Sequence, residues 1–209
     1  MQRPSTPAGE PDPDDLRLVQ RVKEGDPGAF DEFVARFGPL ILAFGMRMCG
    51  NRPDAEDVFQ ETLIKVYTSL ATLENPRALR TWFWRVVANE CLMSRRGPRD
   101  PSRTVGLGDL VPQESTPGAE LELPDAAAVS PERALLDTER RERLERALGN
   151  LPPDYRIVIL LRDFEGLSTQ EVADVLGISA TNAKVRLHRA RAALRQRLQP
   201  PAAAEDGRG

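Results

Sequence analysis

"LSTQEVADVLGISATNAKVRLHRARAALRQRL", residues 167–198, decides how the chain is read. Ser168-Thr169-Gln170-Glu171 has the S-x-x-E form of a capping box, whose hydroxyl and carboxylate satisfy N–H groups left open at a helix start. The helix it begins is short and runs to about Val175. Leu176-Gly177-Ile178 then makes a tight turn, and Ser179 caps a long final helix. A short capped helix, a turn with glycine and a second helix form the pattern of a helix-turn-helix. Val172, Ala173, Leu176, Ile178, Ala183 and Leu187 supply the apolar contacts that lock the two helices together.

The sign of the charge in this stretch points to a partner. From residue 176 to 200 there is no Asp or Glu, while Lys184, Arg186, Arg189, Arg191, Arg195 and Arg197 are all cationic. A solvated basic face is the bland alternative. Joined to the helix-turn-helix spacing, the cations fit phosphate neutralisation with release of counterions. The first residues of such a second helix meet base edges in the major groove: here Thr181, Asn182, Lys184, Val185 and Arg186, with Arg189 a turn further on. His188 reads as an exposed side chain near phosphate with no catalytic task. The overall net charge of −3 does not oppose this reading, because the charge is segregated along the chain.

Composition divides the rest. Residues 1–14 and 200–209 read as short disordered tails, and residues 15–97 carry apolar residues at helical spacing. Residues 98–130 hold five prolines, three glycines and six acids against two arginines, and read as a flexible, extended acidic linker. Residues 131–199 are helical again. In the first block Asp26-Pro27 predicts a helix start, Gly38-Pro39 a break and Gly50 a stop; a second helix begins near Asp54. Pro76 interrupts, and the helix resumes to about Arg96. In the last block Pro152-Pro153 opens a helix that Gly166 closes. No β alternation appears, so the fold is all-α: two small helical domains joined by an acidic linker, the second containing the helix-turn-helix.

Several function classes recede. No run approaches the roughly 18 apolar residues that span a bilayer, and the acidic, proline-rich start is not a signal peptide, so no membrane insertion is expected and the cytoplasm is the default. Two cysteines, Cys49 and Cys91, and one histidine make a poor metal kit, with no C-x-x-C or H-E-x-x-H. Both cysteines read as buried reduced thiols, and no metal or cofactor is expected. The acids Asp54, Glu56, Asp57 and Glu61 lack a nearby histidine, glycine-rich loop or metal partner, so an enzyme finds little support.

Those acids share a helix with Gln60 and Thr62, while Val58, Phe59, Leu63, Val66 and Tyr67 are apolar enough to bury its other side. The usual meaning is a solvated face; a docking surface for another protein's helix is the alternative. "RTWFWRVVANE", residues 80–90, is basic and aromatic. At about 100° per residue, Trp82, Arg85, Asn89 and Arg96 fall on one side and Phe83, Trp84, Val87, Ala88 and Cys91 on the other. The second set reads as core. The first combines a ring, an amide and guanidiniums, which suits stacking and phosphate pairing with a single strand.

"DAEDVFQETLIKVY", "RTWFWRVVANECLMSRR" and "LPPDYRIVILLRDFEGLSTQEVADVLGISATNAKVRLHRARAALR", in this order, resemble the extracytoplasmic-function sigma factors of bacterial RNA polymerase, which keep only sigma domains 2 and 4. The resemblance covers about residues 15–97 and 131–199. It implies that the helix with Asp57, Gln60, Glu61 and Thr62 docks on core polymerase. It makes the loop 73–80, with Leu73, Glu74, Asn75, Arg77 and Arg80, the captor of a flipped −10 base, and puts Asn89 near that strand, beside Trp82 and Arg85. Thr181 to Arg191 becomes the reader of the −35 duplex, and the linker threads past the polymerase active centre. An anti-sigma factor is a further candidate partner. The loop "LENPRALR" has no aromatic residue, so base capture cannot rest on a ring within it. The alternative reading is an autonomous helix-turn-helix regulator with a sensor or dimerisation block, which binds paired half-sites by itself.

Overall fold

The computed structural model describes residues 12–73, 75, 78–94 and 131–199, with side chains from residue 138 in the last stretch. The acidic linker 98–130 and the tail 200–209 lie outside these residues, as do Glu74, Pro76, Arg77 and Arg96. Helix α1, Pro13–Lys23, starts inside the expected 1–14 tail, because Asp12 accepts a hydrogen bond from the Asp14 N–H and Pro13 occupies the first helical position. Acids in its first turn and Arg21 and Lys23 in its last complement the helix dipole.

Helix α2, Ala29–Cys49, differs from the sequence reading in two ways. Asp26 does not cap it directly. Its carboxylate accepts from the Gly28 N–H and its carbonyl from the Ala29 N–H, which moves the start to Ala29. Nor does the helix break at Gly38-Pro39. An internal proline costs about 3 kcal/mol through its missing N–H and its clash with the preceding turn. Buried Phe33, Ile41, Phe44 and Met48 on either side hold the helix through it. Gly38 has a packing role: a Cβ there would stand 3.3 Å from the Phe59 ring, so its absence lets the next helix approach. Gly50, in the left-handed conformation, ends α2 as expected.

Helix α3, Arg52–Ser69, is capped by Asn51, whose side chain accepts from the Asp54 N–H. A 3₁₀ turn, Leu70–Thr72, leads towards α4, Leu79–Ser94. Phe83, Trp84, Val87, Ala88 and Cys91 are all buried, so the predicted core face of α4 is correct. Cys49 is buried as well. Phe33, Phe37, Phe44, Phe83 and Trp84 form one aromatic cluster, with ring centroids 4.5 to 6.3 Å apart. It fastens α2 to α4, and α3 packs across both.

The second unit contains α5, Pro131–Gly149; α6, Pro153–Ile159; α7, Thr169–Leu176; and α8, Ala180–Leu198. A π turn, Leu160–Phe164, follows α6 directly. The two units pack together, α7 against α4 and the ends of α5 and α6 against α2. At the centre is Arg156, only 2% exposed. Its guanidinium donates to the carbonyls of Leu148 (2.8 Å), Leu151 (3.0 Å) and Gly149, which close α5, and to Met48 (2.5 Å) in the last turn of α2. Carbonyls at helix C-termini carry the negative end of the dipole, which suits a cation.

Removing this guanidinium strands several buried acceptors at about 1–3 kcal/mol each. Arg156→Met is therefore expected to lower the melting temperature by about 10 °C, read by circular dichroism, allowing about 2–4 °C per kcal/mol for a chain of this size. Arg156→Lys should restore little of it, since an ammonium lacks the planar fork that spans these oxygens.

Candidate nucleic-acid interface

The helix-turn-helix forms as its sequence indicates. Ser168 Oγ accepts from the Glu171 N–H (3.2 Å) while the Glu171 carboxylate accepts from the Ser168 N–H (2.7 Å), so both halves of the capping box are made. Gly177 turns the chain at φ 65°, a left-handed conformation that other residues reach at a cost. Ser179 Oγ accepts from the Asn182 N–H and starts α8. Ala183, Leu187, Ala190 and Leu194, three and four residues apart, bury one stripe of α8.

The opposite side carries the expected reader residues. Thr181, Lys184, Val185 and His188 are exposed; Asn182, Arg186 and Arg189 are half-buried. Arg186 Nε donates to Asn182 Oδ1 (3.0 Å), and Asp154 lies 4.0 Å from its Nη1, so amide and guanidinium are held as a pair. Arg191 departs from the reading of a uniformly phosphate-facing helix. Its guanidinium meets both oxygens of Asp163 (3.0 and 2.5 Å), fixing α8 to the π turn. Arg195 and Arg197 stay exposed.

In the first unit Asp57, Gln60 and Glu61 share an exposed face of α3. Thr62 does not join them; it is fully buried behind that face. Tyr67, expected on the buried side, is 65% exposed, with only its edge against the Phe30 ring. Ile64 is 57% exposed. Two large apolar side chains thus extend the acidic face, a feature that single-residue polarity did not signal.

The residues expected at an opened strand divide into three groups. Leu73 is buried, and its carbonyl accepts from Lys23 Nζ, so it anchors the loop 73–80 rather than lining it; Asn75 is exposed. Arg80 and Arg85 face the second unit: Arg80 Nη2 donates to the Glu165 carbonyl (2.6 Å) and Arg85 Nη2 to the Asp174 carbonyl (2.7 Å). Arg80 also lies 4.0 Å from Glu171, the acid of the capping box. Arg47 adds a cation–π contact 5.0 Å from the Phe164 ring centroid. Asn89, exposed, lines a groove of about 430 Å³ between α3 and α4, with Lys65, Thr68, Ser69, Val86, Glu90, Leu92 and Met93. Trp82 is half-buried against the core, so neither tryptophan presents an open ring. No described helix is long and apolar enough to cross a membrane, and no group of three metal-ligating side chains gathers among the described residues.

The chain matches the family model for sigma-70 region 2 over residues 33–99 and that for sigma-70 region 4 over residues 141–194. It is 35% identical over 188 residues to the RNA polymerase sigma-H factor of Pseudomonas aeruginosa, spanning 89% of this chain and 94% of that protein. It is 32% identical over 188 residues to the ECF RNA polymerase sigma-E factor of Escherichia coli K12, spanning 89% and 95%. Among solved structures it is similar to CnrH in complex with the cytosolic domain of CnrY, with a TM-score of 0.57 and 28% identity over 87% of this chain and 95% of that one. RpoE of Bartonella quintana, solved with the anti-sigma factor NepR, shares the fold at a TM-score of 0.56 and 24% identity, over 82% and 97%.

The Arg191–Asp163 pair is bidentate and half-buried, a geometry stronger than a single surface ion pair. Urea unfolding of Arg191→Ala, Asp163→Ala and the double variant should give a coupling of about 1–2 kcal/mol. Additive losses would mean that Arg191 does not brace the helix.

Proposed function

Because the chain belongs to the extracytoplasmic-function sigma factors of bacterial RNA polymerase, we propose that its two helical units divide promoter recognition between the residues described above. The protein is a sigma subunit: it binds core polymerase and directs promoter-specific initiation at −35 and −10 DNA. The match to region 2 over residues 33–99 also removes the reading of the N-terminal block as the sensor of an autonomous regulator. The family is one of DNA-binding initiation factors, and the chain acts as a specificity subunit with no chemistry of its own. As a subunit that acts on polymerase, it works in the cytoplasm.

Residues 15–97 serve core polymerase and the −10 element, residues 131–199 the −35 element, and 98–130 join them. Thr181, Asn182, Lys184, Val185, Arg186 and Arg189 read the −35 duplex; the observation that carries this is the exposed, acid-free face of α8. Lys184 serves phosphate or a guanine edge, and the Asn182–Arg186 pair presents a fixed set of donors in the groove. Asp57, Gln60 and Glu61 dock on core polymerase, with Ile64 and Tyr67 supplying apolar area that an acidic patch alone lacks. Thr62 supports that face from behind.

At the −10 element the groove beside Asn89 receives an unpaired base, which no ring of the loop 73–80 can hold. Extrusion from the stack exposes the base's pairing edge. Asn75, Arg80 and Arg85 follow the strand's backbone, and for Arg80 and Arg85 this requires exchanging the Glu165 and Asp174 carbonyls for phosphate. Trp82 supports the helix that carries them. Glu74 and Arg77 belong to the same loop by sequence. An anti-sigma factor is a further partner, supported by the CnrH relative, whose structure is of a complex with the cytosolic domain of CnrY.

Run-off transcription with added core polymerase tests this division. Promoter-specific product is expected only when both are present, with weak duplex binding by the chain alone. Lys184→Ala should weaken −35-dependent initiation by about tenfold and lower the salt slope of binding by about one. Asp57→Lys or Glu61→Lys should reduce core affinity by about 1–2 kcal/mol with DNA preference intact. Tight binding of the free chain to a palindromic duplex would contradict the assignment.

A further inference from the structure

Inside the groove beside Asn89, Lys65 on α3 and Glu90 on α4 form an ion pair of 2.5 Å. Glu90 is almost wholly buried, whereas Lys65 is half-exposed. A buried pair of this kind adds little net stability, because desolvation offsets the attraction. Pinning α3 to α4 is therefore a weak reason for a carboxylate among the core residues Val87, Ala88 and Cys91. We propose that the Lys65–Glu90 pair is the base-discriminating element of −10 recognition, selecting a base with an exocyclic amine against thymine. The inference rests on the reading that this groove receives an unpaired −10 base.

The inventory of polar atoms supports the selection. Thr68 Oγ1 donates to the Ile64 carbonyl (2.8 Å) and Ser69 Oγ to the Lys65 carbonyl, so both hydroxyls keep only lone pairs for a ligand. The donors that remain are the Lys65 ammonium and the Asn89 amide; the strongest acceptor is the Glu90 carboxylate. Val86, Leu92 and Met93, the last 58% exposed, line the apolar part. A base laid on those side chains turns its edge to the polar ones. Cytosine offers an amine that donates to Glu90, then a ring nitrogen and a carbonyl that accept from Lys65 and Asn89. Adenine keeps the amine and the ring acceptor, and guanine sets an amine and a ring N–H together against the carboxylate with its carbonyl towards Lys65. Thymine sets a carbonyl oxygen on either side of its single N–H, bringing oxygen against the carboxylate.

The test is transcription by reconstituted holoenzyme from a template pool randomised across the −10 element, repeated on templates already unpaired there. Wild-type protein should disfavour thymine at one position. Glu90→Gln, which turns the carboxylate into an amide able to donate to a thymine carbonyl, should raise thymine relative to cytosine at that position by roughly tenfold, with −35 preference and core affinity unchanged. Lys65→Arg keeps the pair and should keep the profile, a rescue that plain pinning of helices would not produce at the level of base choice. Where Glu90→Gln melts early, Glu90→Met, which removes the carboxylate and keeps much of its volume, should give the same loss of preference. An unaltered base profile in folded, core-bound Glu90→Gln or Glu90→Met protein overturns the proposal. Met93→Trp, which fills the groove, separates the two layers. If it blocks initiation on both templates while the pair variants leave the profile unaltered, only the role of the pair fails. If neither kind of variant changes −10 selection, the base-receiving groove fails as well.

Discussion

One buried guanidinium ties the architecture together. Arg156 is almost wholly shielded from solvent, so its N–H groups find acceptors inside the protein. It finds them where helices leave carbonyls over, at the end of α5 and in the last turn of α2. Once those carbonyls converge, the start of α6 is fixed, and the π turn that follows delivers Asp163 to Arg191 and Phe164 to Arg47. The direction of α8, and so of its exposed basic face, depends on a cation two helices earlier in the chain. Secondary structure is local here, but its aim is not.

Legibility in the sequence followed the same division. Signals within four residues of their target were readable: the Ser168–Glu171 capping box, the Gly177 turn, the Ser179 cap and the core stripe of α4 all formed as expected. Gly38-Pro39 misled because a local breaker was outweighed by tertiary burial of Phe33, Ile41 and Phe44. Thr62 and Tyr67 exchanged places relative to expectation because helical phase depends on where α2 lies, which spacing on α3 alone does not state. The partners of Arg80 and Arg85 were unreadable: they lie 85 and 89 positions away and are backbone carbonyls, which carry no sequence signature. The Lys65–Glu90 pair was hidden similarly, 25 positions apart and spanning two helices that each looked complete.

Charge is distributed by task. The acids of α3 face outward beside exposed Ile64 and Tyr67, Lys184, Arg195 and Arg197 of α8 are exposed on a helix without an acid of its own, and the whole chain carries a modest −3. Surfaces of opposite sign on separate units let one chain meet a protein and a polyanion at once, with repulsion from the wrong partner adding selectivity. The cations that braced the fold, Arg156 and Arg191, do so through carbonyls and a carboxylate that take them out of this outward field.

The contacts of Arg80 and Arg85 with the second unit have a thermodynamic consequence. On the proposed assignment of Arg80 and Arg85 to the −10 strand, a site occupied by the chain's own carbonyls binds DNA only in the fraction of molecules where those bonds are broken, and the apparent dissociation constant rises by the inverse of that fraction. The proposed −35 residues of α8 make no contact of that kind with the first unit, and Thr181, Lys184 and Val185 are exposed in the same arrangement. On that reading the two proposed promoter sites are offered unequally by the free chain. Whatever holds the units apart then raises the affinity at Arg80 and Arg85 without touching that of α8, so the spacing between units becomes a quantity to which the response is tuned, alongside the side chains themselves.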